Sequence, residues 1–354
     1  MAVEPERKAC GYSRRDFGRL TAGAAAALLA GGSGAATTRA AGAIDVHHHL
    51  LPPFYKPHAE PWLARFATNL DEVLAWTPEH SLAAMDAAGV ESAILSISAP
   101  GVDFGAATAD MARRCNDYAA ALARDHPGRF RFFAALSVSD PNGAIAEARR
   151  TLDEAGAAGI GLLSSYDGRY LGDPAFSPLL AELDRLEALV YVHPTMARCC
   201  AGLVADVADP LIEFPVDTGR TISSLLWSGA LSRYPRIRWI FSHGGGIFPM
   251  VAERVAAMGF IRPDLRARVP EEPVAALARL HVDTASVTNH PAMAALRAWL
   301  PPERILFGTD YPWGSPERSL ASLARLGLPP DLLSAIRRSN ALRLLAGTRG
   351  SRDS

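Results

Sequence analysis

From residue 43 onward, short apolar runs alternate with longer stretches in which apolar positions recur every three or four residues. The short runs predict strands at 43–47, 93–97, 130–136, 160–163, 190–193, 237–243, 280–283 and 305–307. The longer stretches predict helices at 78–88, 107–126, 142–156, 174–188, 216–233, 247–259, 291–299, 315–323 and 329–346. Strands that are apolar on both faces and alternate with helices form a parallel sheet covered on both sides. Eight such units close into a single-domain (β/α)8 TIM barrel. Three segments exceed what the barrel needs: 50–77, 194–215 and 260–280. The first two follow strands one and five and so belong to the C-terminal rim, where such barrels build their sites. Pro52, Pro53, Pro57, Pro61, Trp62 and Trp76 make the first a stiff aromatic loop. The third follows a helix, lies at the opposite rim and suits a bundle or interface role such as a homodimer contact.

The pattern assigns residues 1–42 to a leader, 43–346 to the barrel and 347–354 to a tail. Arg7, Lys8, Arg14 and Arg15 precede an apolar stretch over 20–30, and Thr38-Arg39-Ala40 offers a small-residue cleavage site. Ser13-Arg14-Arg15-Asp16-Phe17 is similar to a twin-arginine export signal, which implies an exported, periplasmic protein; a basic tail on a cytoplasmic protein is the alternative. The apolar stretch falls short of the ~20 residues of a spanning helix, so stable membrane insertion is not expected. The 354 residues carry a formal net charge of −1 with both signs interspersed, which excludes a phosphate-neutralising basic face and a nucleic-acid partner. Cys10 would leave with the leader, and Cys115, Cys199 and Cys200 are too few and wrongly spaced for a disulfide framework or a structural zinc site. Plain buried or loop cysteines are the favoured reading; a pocket near His193 lined by Cys199 and Cys200 is the alternative.

Chemistry enters with Asp45-Val46-His47-His48-His49. On a regular strand, alternate side chains share a face, so His47 and His49 are expected to point inward with Asp45 while Ile44, Val46 and His48 pack outward. Two convergent imidazoles form the start of a metal site. His193 ends strand five, His243 ends strand six, and Asp310 follows strand eight, so five ligand-type residues reach one rim. Core packing explains such a set poorly, because each buried polar group needs a partner. The alternative for His243 is a structural histidine, and for Asp310 a helix N-cap. Gly244 to Gly246 either let a substrate approach the backbone or make a plain turn. Arg220 is either a clamp for a substrate carboxylate or a helix arginine paired with Asp217. Trp62, Trp76 and Trp313 are candidate walls of an aromatic pocket.

The segments Ile44-Asp45-Val46-His47-His48-His49, Val192-His193-Pro194, Phe241-Ser242-His243-Gly244-Gly245-Gly246 and Phe307-Gly308-Thr309-Asp310-Tyr311-Pro312 together resemble the amidohydrolase superfamily. Within it the chain is similar to the branch of aminocarboxymuconate-semialdehyde decarboxylase, and most of all to the 6-methylsalicylate decarboxylase type. The resemblance covers 43–346. It implies one divalent ion, zinc first and manganese second, held by His47, His49, His193 and Asp310, with His243 as an acid/base beside it. The superfamily's two-metal variant needs a strand-four lysine, and Gly159-Ile160-Gly161-Leu162-Leu163-Ser164 has none.

The expected activity is therefore metal-dependent, non-oxidative decarboxylation of a small aromatic or unsaturated carboxylate, with His243 and Asp310 catalytic. Hydrolysis of a lactone, ester or amide would use the same ion and ligands. A non-catalytic binding barrel is the third reading, and it gives no reason for five ionisable groups at one rim.

Overall fold

The computed structural model describes residues 42–347 apart from 68 and 105–107. The leader and tail assigned from the sequence lie outside the described residues, Gly42 and Gly347 excepted. Eight parallel strands run in sequence order around the sheet: β1 (Ala43–His49), β2 (Val90–Ser96), β3 (Phe130–Ala135), β4 (Gly159–Leu163), β5 (Leu189–His193), β6 (Arg238–Phe241), β7 (His281–Asp283) and β8 (Ile305–Leu306). The last seam closes past the end of β8. Val46 N donates to Phe307 O at 3.0 Å, Asp310 N to His47 O at 2.8 Å and His49 N to Tyr311 O at 2.7 Å. This is the expected barrel.

Alternation along the strands builds two packing layers. Leu95, Phe132, Val190, Trp239 and Val282 face the surrounding helices. Ile44, Val46, Ile94, Phe133, Tyr191, Ile240 and Leu306 form the interior, which Ala341, Leu344 and Leu345 of the C-terminal helix seal from below. Helix starts follow local chemistry: Thr77, Asp140, Asn289 and Ser315 each accept a backbone N–H three residues on, with proline in the first turn. Ser315 caps the helix after β8, so Asp310 is not a cap.

Three expectations change. The 50–77 segment is not only loop: Lys56–Leu63 and Leu70–Leu74 are short helices, with Pro57 in a first turn where no intrahelical N–H is lost. The helix after β5 spans Pro210–Trp227, beginning before the predicted 216 because Pro210 occupies its first turn. The third change concerns β1. Its register against β2 shifts between Asp45 and His48, a bulge that puts two residues where one would stand. Ile44 and Val46, both expected outward, therefore lie in the barrel interior and the neighbouring His47 still reaches the site. Asp45 and His48, expected on opposite faces, point outward together.

That outward pair fastens the seam. Asp45 accepts from Thr309 N at 3.0 Å, from Thr309 Oγ1, from His47 N at 3.0 Å and from His48 Nδ1 at 3.0 Å. His48 Nε2 lies 2.9 Å from Ser81 Oγ, which also accepts from Trp76 Nε1 at 2.9 Å. The side chains of Asp45, His48, Ser81, Trp76 and Thr309 are all buried. Asp45→Ala leaves these donors unpaired, and the expected loss is about 3 kcal/mol of stability, read as a lower urea midpoint with an unchanged slope.

Candidate metal centre

His47 and His49 are brought to the barrel axis by the bulge and the strand after it, His193 by the end of β5 and Asp310 by the turn after β8. Nε2 of His47 lies 3.0 Å from Nε2 of His49, and Asp310 Oδ1 lies 3.1 Å and 3.0 Å from them. With His193 these groups offer four ligand atoms, all within 4.8 Å of one another. Each imidazole is fixed from behind: His47 Nδ1 lies 2.9 Å from Asp283 Oδ2, His49 Nδ1 3.2 Å from Ser96 O and His193 Nδ1 2.8 Å from Pro194 O. These contacts at Nδ1 turn each Nε2 toward the common centre. Three buried imidazole nitrogens and a carboxylate converging on one point fit a divalent ion once His47 gives up its proton.

Asp310 reaches this position through strained backbone. Its φ is 61°, in the left-handed region. A Cβ on the nearby Gly308 would come within 2.8 Å of His47 Cβ and 2.9 Å of Asp283 Cβ, so only glycine lets the turn approach the site. Gly246 has a similar need, since its Cβ would lie 2.2 Å from Pro215 O. The glycine run thus serves the turn and its packing.

His243 stands beside the ligand set. Its Nδ1 lies 3.2 Å from Ala285 O and its Nε2 3.9 Å from Asp310 Oδ2. Burial pushes its pKa down, so it is neutral at mid pH with an acceptor facing Asp310. Burial likewise holds His49 low and His193 well below the ordinary imidazole value. His47 differs: burial opposes its charge, but the carboxylates of Asp283 and Asp310 prevail and push it up to about 10. For Asp310, burial is outweighed by His47 and its neighbours, and its carboxyl lies well below the usual range.

Asp283 received no role in the sequence reading. It is fully buried, holds His47 through Oδ2, and accepts from His243 N at 3.0 Å and Ala285 N at 2.9 Å through Oδ1. One carboxylate thus orients a ligand and fixes the backbone of His243. The available signal was a charged residue ending an apolar strand, as His49 and His193 do. Ser96 was missed too: its carbonyl and its hydroxyl both lie 3.2 Å from His49 Nδ1.

A cavity of about 610 Å³ opens over the ligand set. Trp62, Leu63, Phe66, Phe214, Val287 and Trp313 give it apolar walls, with Asn69, Ser98 and Ser286 as polar points and His193, His243 and Asp310 at its base. A larger cavity of about 860 Å³ shares Trp62 but contains none of the ligand residues. Trp62 and Trp313 thus wall the site as expected. Trp76 is buried elsewhere, its indole bonded to Ser81. Arg220 does not line the metal-side cavity. It lies 3.8 Å from Asp217 and 3.7 Å from Cys200 Sγ.

Because His47 must lose a proton before its Nε2 can bind an ion, metal affinity should fall as pH falls. With one proton displaced, the change is about tenfold per pH unit from neutrality toward 10. Calorimetric titration of metal-free protein in buffers of different ionisation enthalpy should report about one proton released. Asp283→Asn should weaken metal binding by about 10- to 100-fold, measured by competition with a chromophoric chelator.

The sequence profile of the amidohydrolase family matches residues 44–346. The 6-methylsalicylic acid decarboxylase of Aspergillus aculeatus is 34% identical over 284 residues, covering 76% of this chain and 86% of that protein. A gamma-resorcylate decarboxylase of Rhodococcus jostii is 30% identical over 255 residues, covering 65% and 75%. Among solved structures, an amidohydrolase II superposes with a TM-score of 0.79 at 27% identity, covering 86% of this chain and 99% of the other. A manganese-containing dihydroxybenzoic acid decarboxylase from Polaromonas has the same fold at a TM-score of 0.78 and 22% identity, covering 88% and 99%. With the profile spanning the whole barrel and the ligand set assembled at its rim, this chain belongs to the amidohydrolase family.

Proposed function

We propose that the protein is a metal-dependent, non-oxidative decarboxylase of a small aromatic carboxylic acid carrying a hydroxyl beside the carboxylate. The observation that carries this reading is one ligand set at the base of an apolar, aromatic-walled cavity, in a chain whose relatives include decarboxylases of hydroxybenzoic acids. His47, His49, His193 and Asp310 would hold one divalent ion. Three imidazoles and a carboxylate suit zinc, with manganese as the alternative. Such an ion, when bound, supplies Lewis-acid stabilisation of negative charge and an anchor for the substrate's oxygens.

The protein's own residues do the rest. Trp62, Phe66, Phe214 and Trp313 place the ring and exclude water from it. Asp310 Oδ2 and His243 Nε2, 3.9 Å apart, form a pair that can take up one proton from water and pass it to the ring carbon bearing the carboxylate. As that carbon gains hydrogen, its bond to the carboxyl carbon breaks and carbon dioxide leaves. The net change is replacement of carbon dioxide by a proton. Among the described residues lining the cavity there is no lysine or arginine. A second carboxylate on the ring would therefore be buried without a counter-charge, so mono-acids are the preferred substrates.

His243→Ala should retain one equivalent of metal by elemental analysis and lose about 10²- to 10⁴-fold in turnover. In heavy-oxygen water, decarboxylation leaves the product's existing oxygens unexchanged by the chemical step, whereas lactone or ester hydrolysis adds one labelled oxygen. Labelled product at full turnover, with no carbon dioxide released from any hydroxybenzoic acid tested, would replace this reading with the hydrolase.

A further inference from the structure

The loop between β5 and the Pro210–Trp227 helix carries two adjacent thiols that the proposed chemistry does not use. Cys199 and Cys200 are both free, with Sγ atoms 3.1 Å apart on a short 3-10 turn over Arg198–Cys200. Cys199 is exposed and Cys200 buried. Nη2 of Arg220 lies 3.7 Å from Cys200 Sγ on the inner side. The pair is therefore open to solvent on one side and faces a fixed cation on the other.

Three kinds of partner can be weighed. A disulfide between adjacent residues is disfavoured, because neighbouring Cα atoms stand about 3.8 Å apart and relaxed disulfides need about 4.4 to 6.8 Å. A tetrahedral divalent ion needs further ligands, and the described residues supply no third histidine, cysteine or carboxylate that groups with the pair. The guanidinium also repels a second cation. An uncharged thiophile with two bonding positions meets neither objection. Bonded to both sulfurs at about 2.3 Å, the usual metal–thiolate length, such a centre closes an angle near a right angle across the observed separation, as pyramidal trivalent arsenic does.

We propose that Cys199 and Cys200 form a dithiol binding site for a monosubstituted trivalent arsenical. With an arsenous oxide R–As=O, both S–H bonds and the arsenic–oxygen bond break and two arsenic–sulfur bonds form. The oxygen leaves as water with the two thiol protons, and nothing is oxidised or reduced. Ring closure at arsenic by the second sulfur is intramolecular, so the pair should bind at least about 100-fold more tightly than either thiol alone.

The test is reaction of the full, metal-loaded chain with phenylarsine oxide. Intact mass should show one phenylarsenic group gained and two hydrogens lost, with no change in metal content. Peptide mapping should place the adduct on Cys199 and Cys200. Excess ethane-1,2-dithiol should remove it and an equal concentration of a monothiol should not. Cys199→Ser and Cys200→Ser should each abolish the stable adduct, and Cys115→Ser should keep it. Absence of an adduct, mapping to another cysteine, survival in either single variant, or equal removal by a monothiol would each overturn the proposal. The mapping on unaltered protein decides the matter even where a variant fails to fold.

Discussion

One irregularity in the first strand governs the rest of the structure. A regular strand would place Val46 and His47 on opposite faces; the register shift before His48 lets Val46 fill the barrel interior while His47 reaches the metal centre. Asp45 and His48 are thereby turned outward, where Asp45 gathers Thr309 and His48 into the closing seam. The same turn carries Asp310. Barrel closure and assembly of the ligand set are consequently one event: the interaction that fastens the ends of the sheet also delivers the carboxylate to the histidines.

The site's electrostatics follow from what stands behind the imidazoles. Backbone carbonyls behind His49 and His193 orient the rings without adding a full charge, and burial keeps both neutral. A carboxylate behind His47 has the opposite effect and holds a proton there until an ion replaces it. Asp283 also fixes the backbone of His243, so His47 and His243 share one anchor. His47 thus differs in charge state from His49 and His193 because Asp283 stands behind it and adds to the pull of Asp310.

Strand four shows how the rim is built where no ligand is needed. Ser164 takes the place after Leu163, donates to buried Asp217 and accepts from Thr195 N at 2.9 Å, while Tyr170 OH donates to the same aspartate at 2.8 Å. Ser164 therefore ties the end of strand four to the loop that follows His193, and Asp217 ties it to the Pro210–Trp227 helix. Arg220 stands at the edge of this group, which accounts for its place outside the cavity over the ligand set.

Much of this was legible in the chain. The alternation of apolar runs and amphipathic stretches determined eight strands, their parallel order and the barrel, because burial on both faces leaves few other arrangements. Strand-end histidines and the aspartate after strand eight were visible as polar residues ending apolar runs, and their common rim follows from the topology. What only the tertiary structure decided depends on contacts distant in sequence. The bulge in strand one violates the period-two rule for a gain found across the seam, 264 residues away at Thr309. Asp283 looks like any strand terminus until His47 and the His243 backbone converge on it, and of the two readings open for Arg220 the fold realises the contact with Asp217. Local periodicity specifies which residues face inward on average. The exceptions that make the site are selected by partners that folding alone brings together.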